Sequence, residues 1–341
     1  MVSIRDVAEK AGVSLGTVSN VLNRPEIVAE TTRQRVQAAI KELGFVRNAP
    51  AHQLRAGSSR YLGLVVLDVT NPFFTEVARG VEDAANEAGY IVILCNSDDS
   101  LEKERSYLHM LEEQRIAGIL ITPASNDLSD LQRLHQQDIA VVLLDRPDQT
   151  QSLCSVAVDD RQGGALATNH LLERGHRCIA FVSGPLSIRQ CEERREGMYQ
   201  AIKTAGLDPN QVIVEISAGT QNTRAGEQSV ETLLHHERKP TAVFCANDLL
   251  ALGVMRGLLQ RGIQIPNEMA LIGYDDIEFA SALSPALSSI RQPKYLLGRT
   301  ATELLLDEMA NREKHQHQHI IYQPELIIRT STFLMKNESA F

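Results

Sequence analysis

Toward the amino end the apolar residues keep helical spacing. Ile4, Val7, Ala8 and Ala11 recur at i, i+3, i+4 and i+7, one stripe of a first helix that Gly12 can end in a left-handed conformation. Ser14 is placed to cap a second helix. Val18, Val21 and Leu22 turn that helix inward and leave Leu15, Gly16, Thr17, Ser19 and Asn20 on its outward, N-terminal side. A third helix is expected from Thr32, with Val36, Ile40 and Leu43 inward and Gly44 as its stop. Helices this short need one another to bury a core. A second helix with a free polar N-terminal side, held by a partner across a glycine turn, is how side chains are presented to base edges in a DNA groove.

From Tyr61 the texture changes to short apolar runs alternating with amphipathic stretches. LGLVVLD, a helix from Phe74 to Ala88, YIVILCN, AGILIT and IAVVLLD, with helices between them, make one set. CIAFVS, a helix through Tyr199, VIVEI, a helix through Leu234, TAVFCAND, a helix through Leu259 and MALIGYDD make another. Such alternation predicts parallel sheets covered by helices on both faces. Late segments at Ser288 to Pro293 and Ile320 to Ile328 are placed to cross back between the two units. Ligands of open sheets of this kind sit beyond the carboxyl ends of the strands, so the cleft between the units is where binding is expected.

Between the helical head and the sheets lies FVRNAPAHQLRAGSSRY, a basic linker ending in Gly and Ser. It holds one marginal helical turn that Asn48 can cap, with Pro50 in the first turn. Charge separates along the chain: residues 1 to 60 carry a balance of +4 and the remainder −13. A basic head on an acidic body confines attraction for phosphates to the head. The five cysteines, Cys95, Cys154, Cys178, Cys191 and Cys245, are odd in number and never form a C-x-x-C pair, which predicts reduced thiols in a cytoplasmic protein. No apolar run approaches the ~20 residues that span a bilayer, and no secretory leader is recognisable, so no membrane partner is expected.

Polar residues gather just after the expected strands, at Asp68 to Asn71, Asp145-Arg146, Asn247-Asp248 and Asp275-Asp276. No G-x-G-x-x-G, Walker loop, G-x-S-x-G or H-E-x-x-H accompanies them, so an enzyme, a cofactor and a catalytic residue are not expected. Carboxylates, amides and guanidinium without a nucleophile suit a neutral polyol. Each hydroxyl can donate to Asp and accept from Arg or Asn, while aromatic faces cover the C–H face of the ring.

The stretch from Asp6 to Asn23, D-V-A-x-x-A-G-V-S-x-x-T-V-S-x-V-L-N, resembles the headpiece signature of the LacI/GalR family of bacterial repressors. The resemblance runs through essentially the whole chain and implies an all-α helix-turn-helix headpiece plus an α/β core of two parallel-sheet lobes, like that of periplasmic binding proteins. The divisions it implies are a headpiece at 1–46, a hinge helix and linker at 47–60 and a core at 61–341. Lobe one would cover about 61–160 and 293–320, and lobe two about 161–292 and 321–341. It also implies a homodimer on a palindromic double-stranded DNA operator, with Ser14, Leu15, Gly16, Thr17, Ser19, Asn20 and Asn23 at the DNA. Leu54 falls where the family wedges a leucine into the minor groove, with Arg55 beside it. The family more often shows A-R-S-L where this chain has Ala51, His52, Gln53 and Leu54.

For the effector, the family's sugar binders carry an N-P-F-F turn, a D-R pair, an Arg ahead of Gly, an N-D, a G-[FY]-D and a late Gln. Their counterparts here are Asn71, Phe73 and Phe74; Asp145 and Arg146; Arg194; Asn247; Asp275; and Gln292. This set implies a monosaccharide, best a pentose such as ribose. Gln221 stands where many relatives place an aromatic that stacks on the ligand. A purine effector fits less well, because Asn247 and the Asp145-Arg146 pair replace smaller or apolar groups. The rival from another class is a stand-alone sugar receptor or transport protein using the same cleft. Two further features are expected to be structural. His315, His317 and His319 alternate, but no carboxylate or cysteine completes the set nearby, so a solvated loop entering a strand is expected and no metal. Gly163-Gly164 reads as a βα turn between the lobes.

Overall fold

A computed structural model describes residues 2–45, 59–148 and 150–333. The chain divides into one unit ending at Ser59 and another beginning at Arg60. The first holds α1 (Ile4–Ala11), α2 (Leu15–Asn23), a single 3-10 turn at Pro25–Ile27 and α3 (Glu30–Leu43). Ser3 and Asp6 cap α1 reciprocally, and Gly12 ends it at φ 63°, where a side chain would be strained. The Ser14 hydroxyl accepts from the Thr17 N–H at 3.1 Å and starts α2. Val7, Ala8, Ala11, Val18, Val21, Val36 and Ala39 form the small core, with Ile40, Leu43 and Phe45 packed at its margin. The third helix starts at Glu30, ahead of the expected Thr32, since Ala29 already accepts from the Arg33 N–H.

The second unit is built on two six-stranded sheets. The first half of the chain supplies β1 (Tyr61–Val66), α4 (Pro72–Glu87), β2 (Ile91–Asn96), α5 (Leu101–Glu113), β3 (Gly118–Ile121), α6 (Ser129–Gln136), β4 (Ala140–Leu144) and β5 (Cys154–Val158). After α7 (Asp160–Glu173) come β6 (Ile179–Ser183), α8 (Arg189–Thr204), the short α9 (Pro209–Val212), β7 (Ile213–Ser217), α10 (Thr223–His235), β8 (Ala242–Cys245), α11 (Asp248–Gln260) and β9 (Ala270–Asp275). The chain then adds α12 (Glu278–Ala282), β10 (Ser288–Arg291), α13 (Lys294–Asn311), β11 (His319–Tyr322) and β12 (Glu325–Ile327).

Strand order is β11-β5-β4-β3-β1-β2 in one sheet and β12-β10-β9-β8-β6-β7 in the other. All pairings are parallel except β10 with β12. The chain therefore passes between lobes after β5, after β10 and after β11. Strands β1, β3, β4, β5, β6 and β8 are buried nearly throughout, which is why they read as unbroken apolar runs. Strand β5 is the one that apolar runs alone did not reveal.

The glycine pair corrects the expected turn. Gly163 and Gly164 lie inside α7. A Cβ on Gly164 would stand 2.0 Å from the Arg194 carbonyl oxygen, so this glycine lets α7 and α8 cross backbone to backbone, whereas one on Gly163 would meet the Tyr274 hydroxyl at 2.1 Å.

Candidate functional site

Of the five α2 positions expected to face outward, Leu15, Gly16 and Asn20 are exposed, Leu15 to 43%, and Thr17 and Ser19 are half-buried. Ser14 and Asn23 are exposed as well. Ser14 and Thr17 hydroxyls share a 2.9 Å hydrogen bond, and the Asn23 amide donates to the Ser19 carbonyl at 2.8 Å. Gly16 and Asn20, four residues apart on α2, are both exposed. Leu54 and Arg55 lie outside the described residues.

In the second unit the loops after β1, β2, β4, β6, β7, β8 and β9 converge on a cavity of about 320 Å3 between the lobes. Eight of the ten expected ligand residues line it: Asn71, Phe73, Phe74, Asp145, Arg194, Gln221, Asn247 and Asp275. Asn71 caps α4, its Oδ1 accepting from the Phe73 N–H at 3.0 Å, and so fixes the turn that presents Phe73 and Phe74. Asn247 caps α11 through the Leu250 N–H and donates to the Gln221 carbonyl at 3.0 Å. The N-D after β8 thus serves structure and cleft together.

Arg194 is the cation of the site. Its side chain is 4% exposed, donates to Asp160 at 2.7 Å and to the Ala246 carbonyl at 2.6 Å, and lies over the Tyr274 ring at 3.6 Å. Asp275 accepts from Gln292 at 2.8 Å and from Asn71 across the cleft, and sits 3.9 Å from the Arg194 guanidinium. Burial pushes its carboxyl up to about 6, against the lowering pull of Arg194, Gln292 and Lys294. Burial, reinforced by Asp160, drives the Asp145 carboxyl well above the ordinary range, and Arg194 opposes it. Asp99 is pushed up to about 6 by burial and by Asp68 and Asp98. Asp98, Asp99, Asp145 and Asp275 all sit at positive φ, between 51° and 107°. Asp tolerates this backbone better than most side chains, and all four residues line the cavity.

Two expected ligand residues are elsewhere. Arg146 donates to the Ser125 carbonyl and, at 3.3 Å, to the Asn126 carbonyl, so its guanidinium pins a loop of its own lobe and does not line the cavity. Asp145 stands at φ 54° and lines the cavity, whereas its neighbour Arg146 does not. Gln292 stands behind Asp275 and holds it. Conversely, sequence reasoning did not single out Gln190, whose amide on α8 donates to the Asp145 carbonyl at 2.7 Å and to its carboxylate at 3.0 Å, joining the lobes. Its position at the start of the helix after β6 was the available signal.

The histidine run also departs from expectation. The His315 side chain is 2% exposed, and Cys154 and Glu308, remote in sequence, stand beside it and His317. His319 turns instead to the Ser155 hydroxyl at 3.0 Å. Among the described residues no helix is long and apolar enough to cross a membrane.

Residues 3–48 match the model for bacterial regulatory proteins of the lacI family, and residues 59–330 match that for periplasmic binding proteins and the sugar binding domain of the LacI family. The HTH-type transcriptional repressor PurR of Vibrio cholerae serotype O1 (strain M66-2) is 39% identical over 331 residues, covering 96% of this chain and 97% of that protein. Among solved structures, the lac repressor dimer bound to operator and the anti-inducer ONPF aligns with a TM-score of 0.82 at 29% identity, covering 97% of this chain and 99% of its own. A LacI family regulator from Enterococcus faecium with bound ribose aligns at 0.72 and 31% identity, over 80% of this chain and 98% of its own.

Proposed function

The chain belongs to the LacI family of bacterial regulatory proteins, and from that premise we propose that its cleft takes a neutral monosaccharide, a pentose such as ribose, as the effector that sets its affinity for operator DNA. As a member of that family it is a ligand-responsive, DNA-binding transcriptional repressor and not an enzyme. A stand-alone receptor or transport protein would have no use for the headpiece of α1 to α3.

The observation that carries the effector reading is the charge and hydrogen-bonding state of the cavity. Five carboxyls, Asp68, Asp98, Asp99, Asp145 and Asp275, line it against one guanidinium, Arg194. That balance repels phosphorylated and other anionic ligands. Asp145 Oδ1 is buried without a hydrogen-bond partner, and an unpaired buried acceptor costs about 1–3 kcal/mol. Carboxyls that burial pushes upward, as at Asp145 and Asp275, are served by partners that both donate and accept, which is what a hydroxyl does. Phe73 and Phe74, edge to face at 5.0 Å, supply the apolar surface for a sugar's C–H face.

A purine effector is the second reading, favoured by the PurR relatives at 36–39% identity. A flat base asks for a slot between two apolar faces. Here Gln221, packed over Gly184 and accepting from the Cys191 thiol at 3.3 Å, contributes an amide to the lining instead.

On the DNA side, each of two headpieces of a dimer would place α2 in a major groove, so that the pair reads a palindrome. Asn20 would read a base, and Ser14, Thr17, Ser19 and Asn23 would hold α2 against the backbone. Thermal-shift measurements against pentoses, hexoses and purine bases test the effector, because a ligand raises stability by RT ln(1 + [L]/Kd). Ribose or a related pentose is expected to raise the transition in the millimolar range or below. A rise with hypoxanthine or guanine and none with any sugar would overturn the reading in favour of the purine one.

A further inference from the structure

At the end of the first sheet remote from the cleft, where the parallel strands begin, four side chains offer a metal-ligand set. Cys154 opens β5, Glu308 lies on α13, and His315 and His317 lie on the segment that leads from α13 into β11. Their ligand atoms all fall within 4.8 Å of one another. His315 Nε2 is 3.1 Å and His317 Nδ1 3.8 Å from Cys154 Sγ, and His315 Nε2 is 4.0 Å from Glu308 Oε2. Ligands of a tetrahedral ion bound at about 2.0–2.3 Å stand apart by distances of this order.

Three independent features mark the cluster as a binding site. Both carboxylate oxygens of Glu308 are buried with no hydrogen-bond partner, although the side chain is only 3% exposed. His135 Nδ1, on α6, approaches Glu308 Oε1 to 3.1 Å but is itself without a hydrogen bond, so it does not satisfy the carboxylate. His315 Nδ1 is 2.7 Å from Asp307 Oδ2, a contact that puts the proton on Nδ1 and leaves the Nε2 lone pair facing Cys154. A carboxylate behind a ligating imidazole is the usual outer partner at zinc sites. The Cys154 sulfur also accepts from the Gln318 N–H at 3.3 Å, a bond that suits a thiolate.

We propose that Cys154, Glu308, His315 and His317 bind one zinc ion per chain as a closed structural site. Two imidazoles, one thiolate and one carboxylate match the borderline softness and four-coordinate preference of Zn2+, and the set leaves no open position for catalysis. The ion ties the crossover after α13 to the first strand residue of β5, and the thiol and any imidazole protons leave as it enters. Without it the Glu308 carboxylate stays buried and unsatisfied.

The test uses the full-length, reduced protein stripped with chelator and titrated with Co2+, then Zn2+. One Co2+ per chain is expected, with the visible bands of a tetrahedral ion and a near-ultraviolet thiolate-to-cobalt band, both lost on adding Zn2+. Cys154→Ser is expected to abolish the thiolate band, and Cys178→Ser, on the other lobe, to keep it. His317→Gln, at a partly exposed position, repeats the test should Cys154→Ser fail to fold, and is expected to lose stoichiometric binding. Asp307→Asn leaves every ligand in place and is expected to weaken metal affinity 10–100-fold. Absence of a thiolate band in the parent protein, or an equal band in Cys154→Ser, overturns the proposal.

Discussion

Replacing Asp275 by Asn is expected to move stability and effector binding in opposite directions. Asp275 is 3% exposed, and burial holds its carboxyl at about 6 in place of the usual 3.8. Between those two values the folded chain keeps a proton that the unfolded chain has released, so the native state loses stability as pH rises through the window. The loss is complete above about pH 6 and amounts to about 3 kcal/mol. Asn carries no charge to desolvate, and its oxygen can still accept from Gln292, which stands at 2.8 Å. The variant should therefore equal the parent in stability near pH 4 and exceed it by up to about 3 kcal/mol at pH 7 and above. In the effector complex the sign reverses. A sugar hydroxyl loses a charged acceptor worth about 1.5–3 kcal/mol, or one to two decades of affinity. Urea unfolding followed by circular dichroism across pH 4–8, without ligand, measures the first quantity, and calorimetry with the sugar measures the second. A variant less stable than the parent at pH 7.5, or an advantage that does not shrink on acidification, would refute the reasoning.

Asn20→Ala should relax preference at one base pair in each half-site by about 1–3 kcal/mol, read by selection from a randomised operator library, because an exposed amide can pair bidentately with adenine; an unchanged consensus would remove Asn20 from that role. Gln190→Ala cuts the two bonds that tie α8 to Asp145 across the lobes, at 2.7 and 3.0 Å. Small-angle scattering of the ligand-free variant should show a larger radius of gyration, with effector affinity lower by about 1–3 kcal/mol. Gly164→Ala must spread α7 from the Arg194 backbone, which its Cβ would meet at 2.0 Å, and should cost about 1–3 kcal/mol of stability while also weakening the effector. A stability within 0.5 kcal/mol of the parent, about the size of an ordinary surface change, would mean that the crossing is looser than it stands.

What was legible in the chain is what local spacing encodes. The stripe Ile4, Val7, Ala8, Ala11 and the stop at Gly12 describe α1 because helix periodicity and a left-handed glycine are properties of neighbouring residues. The buried strands read as apolar runs for the same reason, and the rule that loops after strands hold ligands led to Asp145, Asn247 and Asp275. Strand β5 escaped because Ser155 interrupts its apolar run and its edge partner, β11, begins at a histidine 164 residues onward. A motif pairs Arg146 with Asp145, but the guanidinium is held by the Ser125 and Asn126 carbonyls and falls outside the cavity lining. The cluster at His315 and His317 was invisible for a third reason. Its cysteine and carboxylate come from β5 and α13, and only the crossover of the chain brings them together. Gly163 and Gly164 looked like a turn because glycine serves turns and close helix crossings alike, and the second use depends on what lies opposite.

The central claim is that occupancy of the cleft by a sugar controls the grip on DNA. It is tested most directly by fluorescence anisotropy on the selected palindrome, comparing parent and Asp275→Asn protein with and without saturating pentose. Coupling free energies between two sites are typically about 1–3 kcal/mol. The parent should thus change its operator affinity by about 5–150-fold on adding the sugar, whereas Asp275→Asn should bind the operator and no longer respond at the same sugar concentration. An operator affinity in the parent that is the same with and without pentose would contradict the account.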